Sequence, residues 1–539
     1  MKIVVAEKIA PAALALFREQ SELTVATPEK DALAAELADA DALLVRSAVY
    51  VDAAMMGKAP RLRVIGRAGV GVDNIDLDAA TKRGIAVMNT PGGNAVAVAE
   101  HTLALILAMA RHLPRADSTM HAGKWEKKSL QGTELRGKTI GIVGLGRIGV
   151  EVAKRAFVFG MKIVAHDPYV ALSLAQQLHI TMVPLDRLFA ESDYISLHVG
   201  LTSATQKMIN ADSLAKMKQG ARLVNCARGE LIDDAALVDA LQQGHIAGAA
   251  LDVFSHEPLK DSSLQTAPNL ILTPHIAGST NEAQDAVGVQ IAMQVREYLL
   301  KGVIQNAVNV PSVTFEEYEK MLPYIVLAER MGEFLAQTTD GSIEEIGVSY
   351  SGDICDWKTE LIRNAAVSGV LNQLEHERTN LVNAASMAEE RGIRLAERRK
   401  ARSSSGAAAN VLAVTLKSSQ QERVVSGTVL HGAHPRMLSV DHIDIEAPLD
   451  GIVVYLRNRD IPGVVGRVGT VLGKHHVNIA TFSLGRARTG RPDEAIGVVQ
   501  VDGEVSEAAL EDLRQIEAIT VAKIVHFGVA QQREEAVEA

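Results

Sequence analysis

The chain has 539 residues, 47% of them hydrophobic and 22% charged, with a formal net charge of −10. That length exceeds what one hydrophobic core supports and calls for three or four domains, while the negative balance argues against nucleic acid or an anionic membrane as the main partner. The two cysteines, Cys226 and Cys355, have neither the number nor the spacing for a disulfide frame or zinc site, so no metal is expected.

The start, Met1-Lys2-Ile3-Val4-Val5-Ala6-Glu7-Lys8, reads as a strand broken by charges and not as a secretory signal. The longest apolar run, Leu103–Ala110, is less than half a membrane span. A soluble, cytoplasmic protein is the expectation. Strands predicted at Ile3–Ala6, Ala42–Arg46, Arg63–Ile65 and Ala86–Met88 each precede a helical or turn pattern, which implies a parallel sheet. Ala95–Arg115 reads as one long, largely apolar helix suited to joining two lobes or to an oligomer interface. A strand at Lys138–Val143, a helix at Arg147–Phe159 and a strand at Lys162–His166 then open a second α/β unit that runs to about Gly278. Helix Asn281–Lys301 returns to the first unit and Asn306–Pro311 finishes it. The expected division is 1–97 with 280–312, then 98–279.

Residues 313–447 form a different, α+β block. Helices predicted at Phe315–Thr338 and Lys358–Gly392 flank a strand at Glu344–Tyr350, and a soft stretch, Arg402–Asn410, precedes strands Val411–Lys417 and Glu422–Leu430. Residues 448–528 read β-α-β-β-α-β: Ile452–Arg457, Gly463–His475, Asn478–Ala487, Ala495–Val501, Ser506–Gln515 and Ile519–Phe527, with the turn Arg488–Asp493 between the middle strands. That order describes a ferredoxin-like module, and 529–539 is left as a tail. The fold class expected is α/β, with two doubly wound Rossmann- or flavodoxin-like domains followed by the α+β block and the ferredoxin-like module.

Gly144-Leu145-Gly146-Arg147-Ile148-Gly149 lies between a strand and a helix, and Asp167 ends the following strand. A dinucleotide needs this arrangement. Gly144 permits the tight turn, Gly146 lets backbone approach a pyrophosphate, and Gly149 lets helix and strand pack closely. The helix N-terminus offers free N–H groups and a partial positive charge. Asp167 can accept both ribose hydroxyls of NAD but would repel the 2′-phosphate of NADP, and Pro168 and Tyr169 supply no cation to offset it. NAD is the expected cofactor.

Three further motifs sit where a strand hands over to a loop: Val224–Glu230, Leu251–Pro258 and Leu272–Gly278. Ligands of open α/β sheets bind at such carboxyl ends. Hydride transfer from a secondary alcohol needs a group to take the hydroxyl proton, which suits His275. A carboxylate on its other ring nitrogen, Glu257, fixes the tautomer and stabilises the imidazolium. Arg228 can grip a substrate carboxylate with both arms of its fork. Cys226 reads as packing beside the cofactor, and His101, His198 and His256 are assigned no chemistry.

With Gly66–Asn74, Asn89–Asn94, Gly123-Lys124-Trp125 and Gly132–Leu135 added, the chain resembles the D-isomer-specific 2-hydroxyacid dehydrogenases. It is most similar to the long-form phosphoglycerate dehydrogenase branch, with an intervening domain (313–447) and a C-terminal ACT domain (448–528). The resemblance implies NAD-dependent oxidation of 3-phospho-D-glycerate to 3-phosphohydroxypyruvate, the first step of L-serine biosynthesis. It places Gly144, Gly146, Arg147, Ile148 and Gly149 around the pyrophosphate and Asp167 at the ribose. Cys226, Arg228, Asp252 and His275 fall around the nicotinamide, with Gly278 near the cofactor.

A phosphorylated substrate asks for cations beyond Arg228, and Arg46 and Arg67 lie at strand ends facing the presumed cleft. The turn Ala68–Gly71 could add backbone donors; at Val70, where relatives can carry Thr, a hydroxyl contact is lost. Gly200 replaces a proline common in the family and loosens the loop on the adenine side. Leu456–Gly463 and His476–Ala480 resemble the ACT amino-acid-binding pattern, which makes Asn458, Asp460 and Asn478 candidate L-serine ligands shared across a dimer. A homodimer or homotetramer is expected. Two rivals remain: another D-2-hydroxyacid dehydrogenase, such as a hydroxypyruvate or glyoxylate reductase, which lacks the extension after Pro311, and a non-catalytic NAD-sensing protein.

Overall fold

A computed structural model describes residues 1–170, 172–311, 313–374, 379–399, 410–487 and 493–527. The soft stretch apart from Asn410, the turn apart from Asp493, and the tail lie outside the described residues. The described residues form four sheets. In the first, β1 (Lys2–Val5), β2 (Thr24–Ala26), β3 (Ala42–Val45), β4 (Val64–Arg67) and β5 (Ala86–Met88) are all parallel in the order β2-β1-β3-β4-β5. β3 is buried along its whole length, as a central strand covered by helices on both faces must be. The short edge strand β2, exposed at Thr24, carries too little apolar pattern to be anticipated.

The second sheet is also wholly parallel. It contains β6 (Thr139–Val143), β7 (Lys162–His166), β8 (Thr181–Met182), β9 (Tyr194–Leu197), β10 (Arg222–Asn225), β11 (Gly248–Leu251) and β12 (Leu270–Leu272), in the order β12-β11-β10-β9-β6-β7-β8. The order turns back between β6 and β9, so the crevice there opens at the end of β6, where the glycine run lies.

Two helices connect the units. The 95–115 expectation needs correction, because the helix Ala95–Arg111 stops at His112 in a left-handed conformation (φ 55°). A second helix, Leu113–His121, leaves at 63°. Pro114 has no N–H to continue the ladder, and the Ala110 carbonyl instead accepts from Thr133 N–H at 2.9 Å. No single described helix is long and apolar enough to cross a membrane.

The third sheet has the order β14-β13-β15-β16-β17-β18. Its strands are β13 (Ile343–Ser351), β14 (Arg394–Arg399), β15 (Val411–Ser418), β16 (Glu422–Leu430), β17 (His434–Val440) and β18 (Ile443–Pro448). The helix Phe315–Thr338, opened by a Thr314–Glu317 capping box, packs with Glu360–Leu371 on this sheet. The helix predicted over 358–392 is in fact two, Glu360–Leu371 and Ala384–Glu390. Asparagine side chains compete for the backbone between them. Asn372 receives Thr379 N–H at 2.8 Å and donates to Thr379 C=O at 2.9 Å, and Asn380 receives Val382 N–H. Asn380 also donates to Gly84 C=O and Tyr318 to Gly302 C=O, both at 2.8 Å, so this block is docked on the first sheet's domain.

In the fourth sheet β19 (Ile452–Arg459), β20 (Asn478–Arg486), β21 (Glu494–Asp502) and β22 (Ile519–His526) run antiparallel as β20-β21-β19-β22. The helices Val464–Lys474 and Glu507–Arg514 cover one face over a core containing Val454, Leu456, Val468 and Leu472.

Candidate active site

At the end of β6 the chain turns through Gly144 at φ +92°, where a Cβ would stand 2.6 Å from the His198 carbonyl oxygen. A Cβ on Gly149 would come within 2.1 Å of Gly144 C=O, so the turn and the helix touch backbone to backbone, whereas Gly146 faces open space. Gly146 caps the helix Arg147–Val158 without a side chain, which leaves the first amides, those of Arg147 and Ile148 among them, unclaimed by any cap. Those amides and the helix dipole form an anion site of pyrophosphate type. Asp167 stands beside the loop, its carboxylate receiving Leu145 N–H and Tyr169 N–H at 2.8 Å each. The Arg147 guanidinium crosses to the first domain, donates to Pro91 C=O and packs on Gly92. His198 is half-buried behind the turn, bonded through Nε2 to Ser196 Oγ at 2.8 Å, and desolvation pushes its pKa down to about 4. It is a neutral wall.

After β11 and β12 the chain brings two predicted residues together. His275 Nδ1 lies 2.6 Å from Glu257 Oε2, while Glu257 Oε1 receives Phe254 N–H at 3.0 Å. The acceptor carboxylate assigns the proton to Nδ1 and leaves Nε2 as the basic nitrogen. His275 adopts the left-handed conformation (φ 54°), uncommon for a residue with a side chain, and its ring is half exposed. Asp252 holds that loop. Fully buried, it receives Thr273 Oγ–H at 2.6 Å, Ile276 N–H at 2.9 Å and Ala277 N–H at 2.8 Å. Burial alone would raise its carboxyl, but hydrogen bonds from His101, Thr273, Ile276 and Ala277 outweigh it and keep the group below the usual aspartate range. Thr273 was not singled out from sequence; its place beside Pro274 and His275 was the available signal. Gly278 ends the loop against the Asn94 side chain.

Arg228, on the turn after β10, pairs with Asp73 of the first domain at 3.2 Å. Asn225 shapes that turn, receiving Ala227 N–H and donating to Arg228 C=O. A Cβ on Gly71 would lie 2.3 Å from Arg228 Nη2, so any side chain there would displace the guanidinium. Arg67, at the end of β4, is largely buried with its Nε unpartnered. Burial pushes its pKa down first, then the neighbouring Arg228, with Arg46 acting the same way against Asp73 and Glu7. Arg46 reaches Lys8 C=O at 3.4 Å, and its N–H is held by Glu7. Val70 offers only its carbonyl, which accepts from Asn89. Arg67 thus lies within electrostatic range of Arg46 and Arg228, and the Arg228 turn touches the Glu257 loop through Gly229.

Burial and the charge of Asp252 push the Cys226 thiol up to about 12, against a hydrogen bond with Thr102. It is no nucleophile at neutral pH. A Cys355→Ser variant should therefore show no thiol labelling by Ellman's reagent at pH 8 until denaturant is added; prompt labelling of the native variant would contradict this.

The other named residues lie in the fourth sheet. Asn458 is buried, its amide donating to Arg459 C=O at 2.8 Å. Asp460 stands 3.3 Å from Arg486 Nε, and Asn478 donates to Asp502 at 2.6 Å. Asn458 pairs with Ala495 and Asn478 with Asp502, opposite ends of β21 about 23 Å apart at the rise of a strand. One copy of the chain does not bring them together. Among the described residues, no three His, Cys, Asp or Glu side chains are grouped to hold a metal.

Three known families match successive parts of the chain. They are the D-isomer specific 2-hydroxyacid dehydrogenase, NAD binding domain (residues 103–277), the D-3-phosphoglycerate dehydrogenase intervening domain (320–441) and the ACT domain (452–518). A D-3-phosphoglycerate dehydrogenase of Synechocystis sp. is 40% identical over 97% of this chain and 94% of its own length. One from Methanocaldococcus jannaschii is 39% identical over 98% and 100%. A crystal structure of a Thermus thermophilus protein superimposes with TM-score 0.52 at 37% identity, covering 57% of this chain and 100% of that one. With such identity sustained from the first sheet to the last, the chain belongs to the D-3-phosphoglycerate dehydrogenase family of D-isomer specific 2-hydroxyacid dehydrogenases.

Proposed function

We infer that the chain oxidises 3-phospho-D-glycerate at C2 to 3-phosphohydroxypyruvate with NAD, the first step of L-serine biosynthesis. The observation that carries this reading is that Arg67 lies within electrostatic range of Arg46 and of Arg228, whose turn touches the loop of the imidazole–carboxylate pair. A substrate with an anion at each end accounts for three cations where a simple 2-hydroxy acid needs one. The open space over Gly146 and the uncapped helix amides suit a pyrophosphate, and Asp167 suits a ribose; NAD, when bound there, supplies the hydride acceptor. Arg228 grips the substrate carboxylate and turns C2. His275 Nε2 takes the hydroxyl proton as the C2 hydrogen leaves with its electron pair and the carbonyl forms. Glu257 stabilises the resulting imidazolium.

The separated positions of Asn458, Asp460 and Asn478 support an L-serine site built between two ACT modules, and hence a homo-oligomer with feedback regulation. Exposed Val96, Leu113, Met120 and Trp125 offer a second self-contact. A cytoplasmic setting suits two cysteines that form no disulfide.

The test is direct. Purified protein with NAD and 3-phospho-D-glycerate at alkaline pH should produce NADH absorbance, and millimolar L-serine should slow it. No NADH from phosphoglycerate, with rapid NADH oxidation by glyoxylate, would overturn the substrate assignment in favour of a glyoxylate or hydroxypyruvate reductase.

A further inference from the structure

The helix Ala95–Arg111 carries one polar residue at the site that the reaction above leaves unused. His101 Nε2 lies 3.2 Å from Thr273 Oγ1 and 3.5 Å from Asp252 Oδ1, with its side chain 20% exposed. The hydroxyl proton of Thr273 is already given to Asp252 at 2.6 Å, and an ionised carboxylate has none to give. The proton in the His101–Thr273 contact therefore comes from the imidazole, so His101 carries hydrogen on Nε2. The same carboxylate receives the N–H groups of Ile276 and Ala277, directly after His275. A donor on the interdomain helix is thus tied, through one buried anion, to the loop that presents the acid/base ring.

We propose that His101 is a positioning residue for hydride transfer: its Nε2–H, fed into the Thr273–Asp252 pair, fixes the 273–277 loop and with it the His275 ring. The inference rests on the reading of His275 as acid/base. Asp252 is fully buried, so it has no water to replace a lost donor. A small shift of its loop moves His275 Nε2 off the line to the hydroxyl, and misplacement on the order of 1 Å costs up to about 10²-fold in rate.

The experiment compares three variants. His101→Leu keeps a helix-compatible side chain of similar bulk without the donor. His101→Gln places an amide N–H near the Nε2 position, and His101→Asn places one a bond short, at the Nδ1 height. Expected is a kcat about tenfold lower in His101→Leu, the upper end of what one hydrogen bond to a neutral hydroxyl contributes. KM for substrate and Kd for NAD should be unchanged, and the primary deuterium isotope effect on kcat with C2-deuterated substrate should be larger. His101→Gln should recover most of kcat and His101→Asn little, at matched Tm; this pair decides the matter if His101→Leu does not fold. Wild-type kcat and isotope effect in His101→Leu, or Gln no better than Asn, would overturn the proposal. Wild-type turnover of phosphoglycerate is measured first. If it is absent the substrate assignment falls alone, and the variants are assayed with the 2-hydroxy acid that the wild type does oxidise.

Discussion

His275→Asn should lower NADH formation by roughly 10²–10⁴-fold, the span that a positioned acid/base group contributes. Asparagine is the informative replacement because it tolerates the left-handed backbone that position 275 adopts, so lost activity cannot be charged to a refolded loop. The ring is half exposed, and its removal should leave thermal stability within the range of an ordinary surface change. Glu257→Gln tests the companion group. It keeps an acceptor for Nδ1–H but not the charge that steadies the imidazolium, and the loss of one charge-assisted hydrogen bond predicts a decrease of about 10–100-fold in kcat. Steady-state NADH production at saturating NAD, with Tm recorded for each variant, checks both. A His275→Asn enzyme within a fewfold of wild type would remove the imidazole from the reaction.

The pair His275–Glu257 was legible in the sequence because each residue lies on the loop that follows a strand of one parallel sheet, and such strand ends share a side. The glycine turn was legible for the same reason, with Asp167 at the next strand end. What supports them was not. The work of Asp252 depends on amides of Ile276 and Ala277 that folding turns toward it, and backbone donors leave no mark in residue identity. His101 looked idle because its partner Thr273 lies 172 positions away. The helix expected over 95–115 failed at a cue that was present, Pro114. The helix expected over 358–392 failed because helix propensity gave way to asparagine side chains bonding their own backbone. Strands β14 and β17 alternate too weakly, or carry too much charge, to be read as sheet, whereas the strict alternation of β18 was a signal present in the sequence.

Arg228→Leu should separate activity from stability. Two charge-assisted bonds to a substrate carboxylate, each worth about 1.5–3 kcal/mol, predict a fall in kcat/KM of roughly 10²–10³ or more. The same change should cost the fold little. Its ion pair with Asp73 involves a carboxylate that is 68% exposed, and such pairs contribute about 0–1 kcal/mol. Against that small loss, removing Arg228 relieves Arg67, whose buried guanidinium it disfavours. Tm should therefore hold or rise as activity collapses, the trade expected where like charges are held together for a ligand. Arg228→Lys should recover part of the activity, since a point charge remains but the fork is gone. Arg67→Leu provides the contrast. If Arg67 serves the phosphate, its loss should erase the preference for 3-phospho-D-glycerate over D-glycerate, whereas Arg228→Leu should impair both substrates alike. Equal loss of both substrates in Arg67→Leu would move that guanidinium from the phosphate to the carboxylate end.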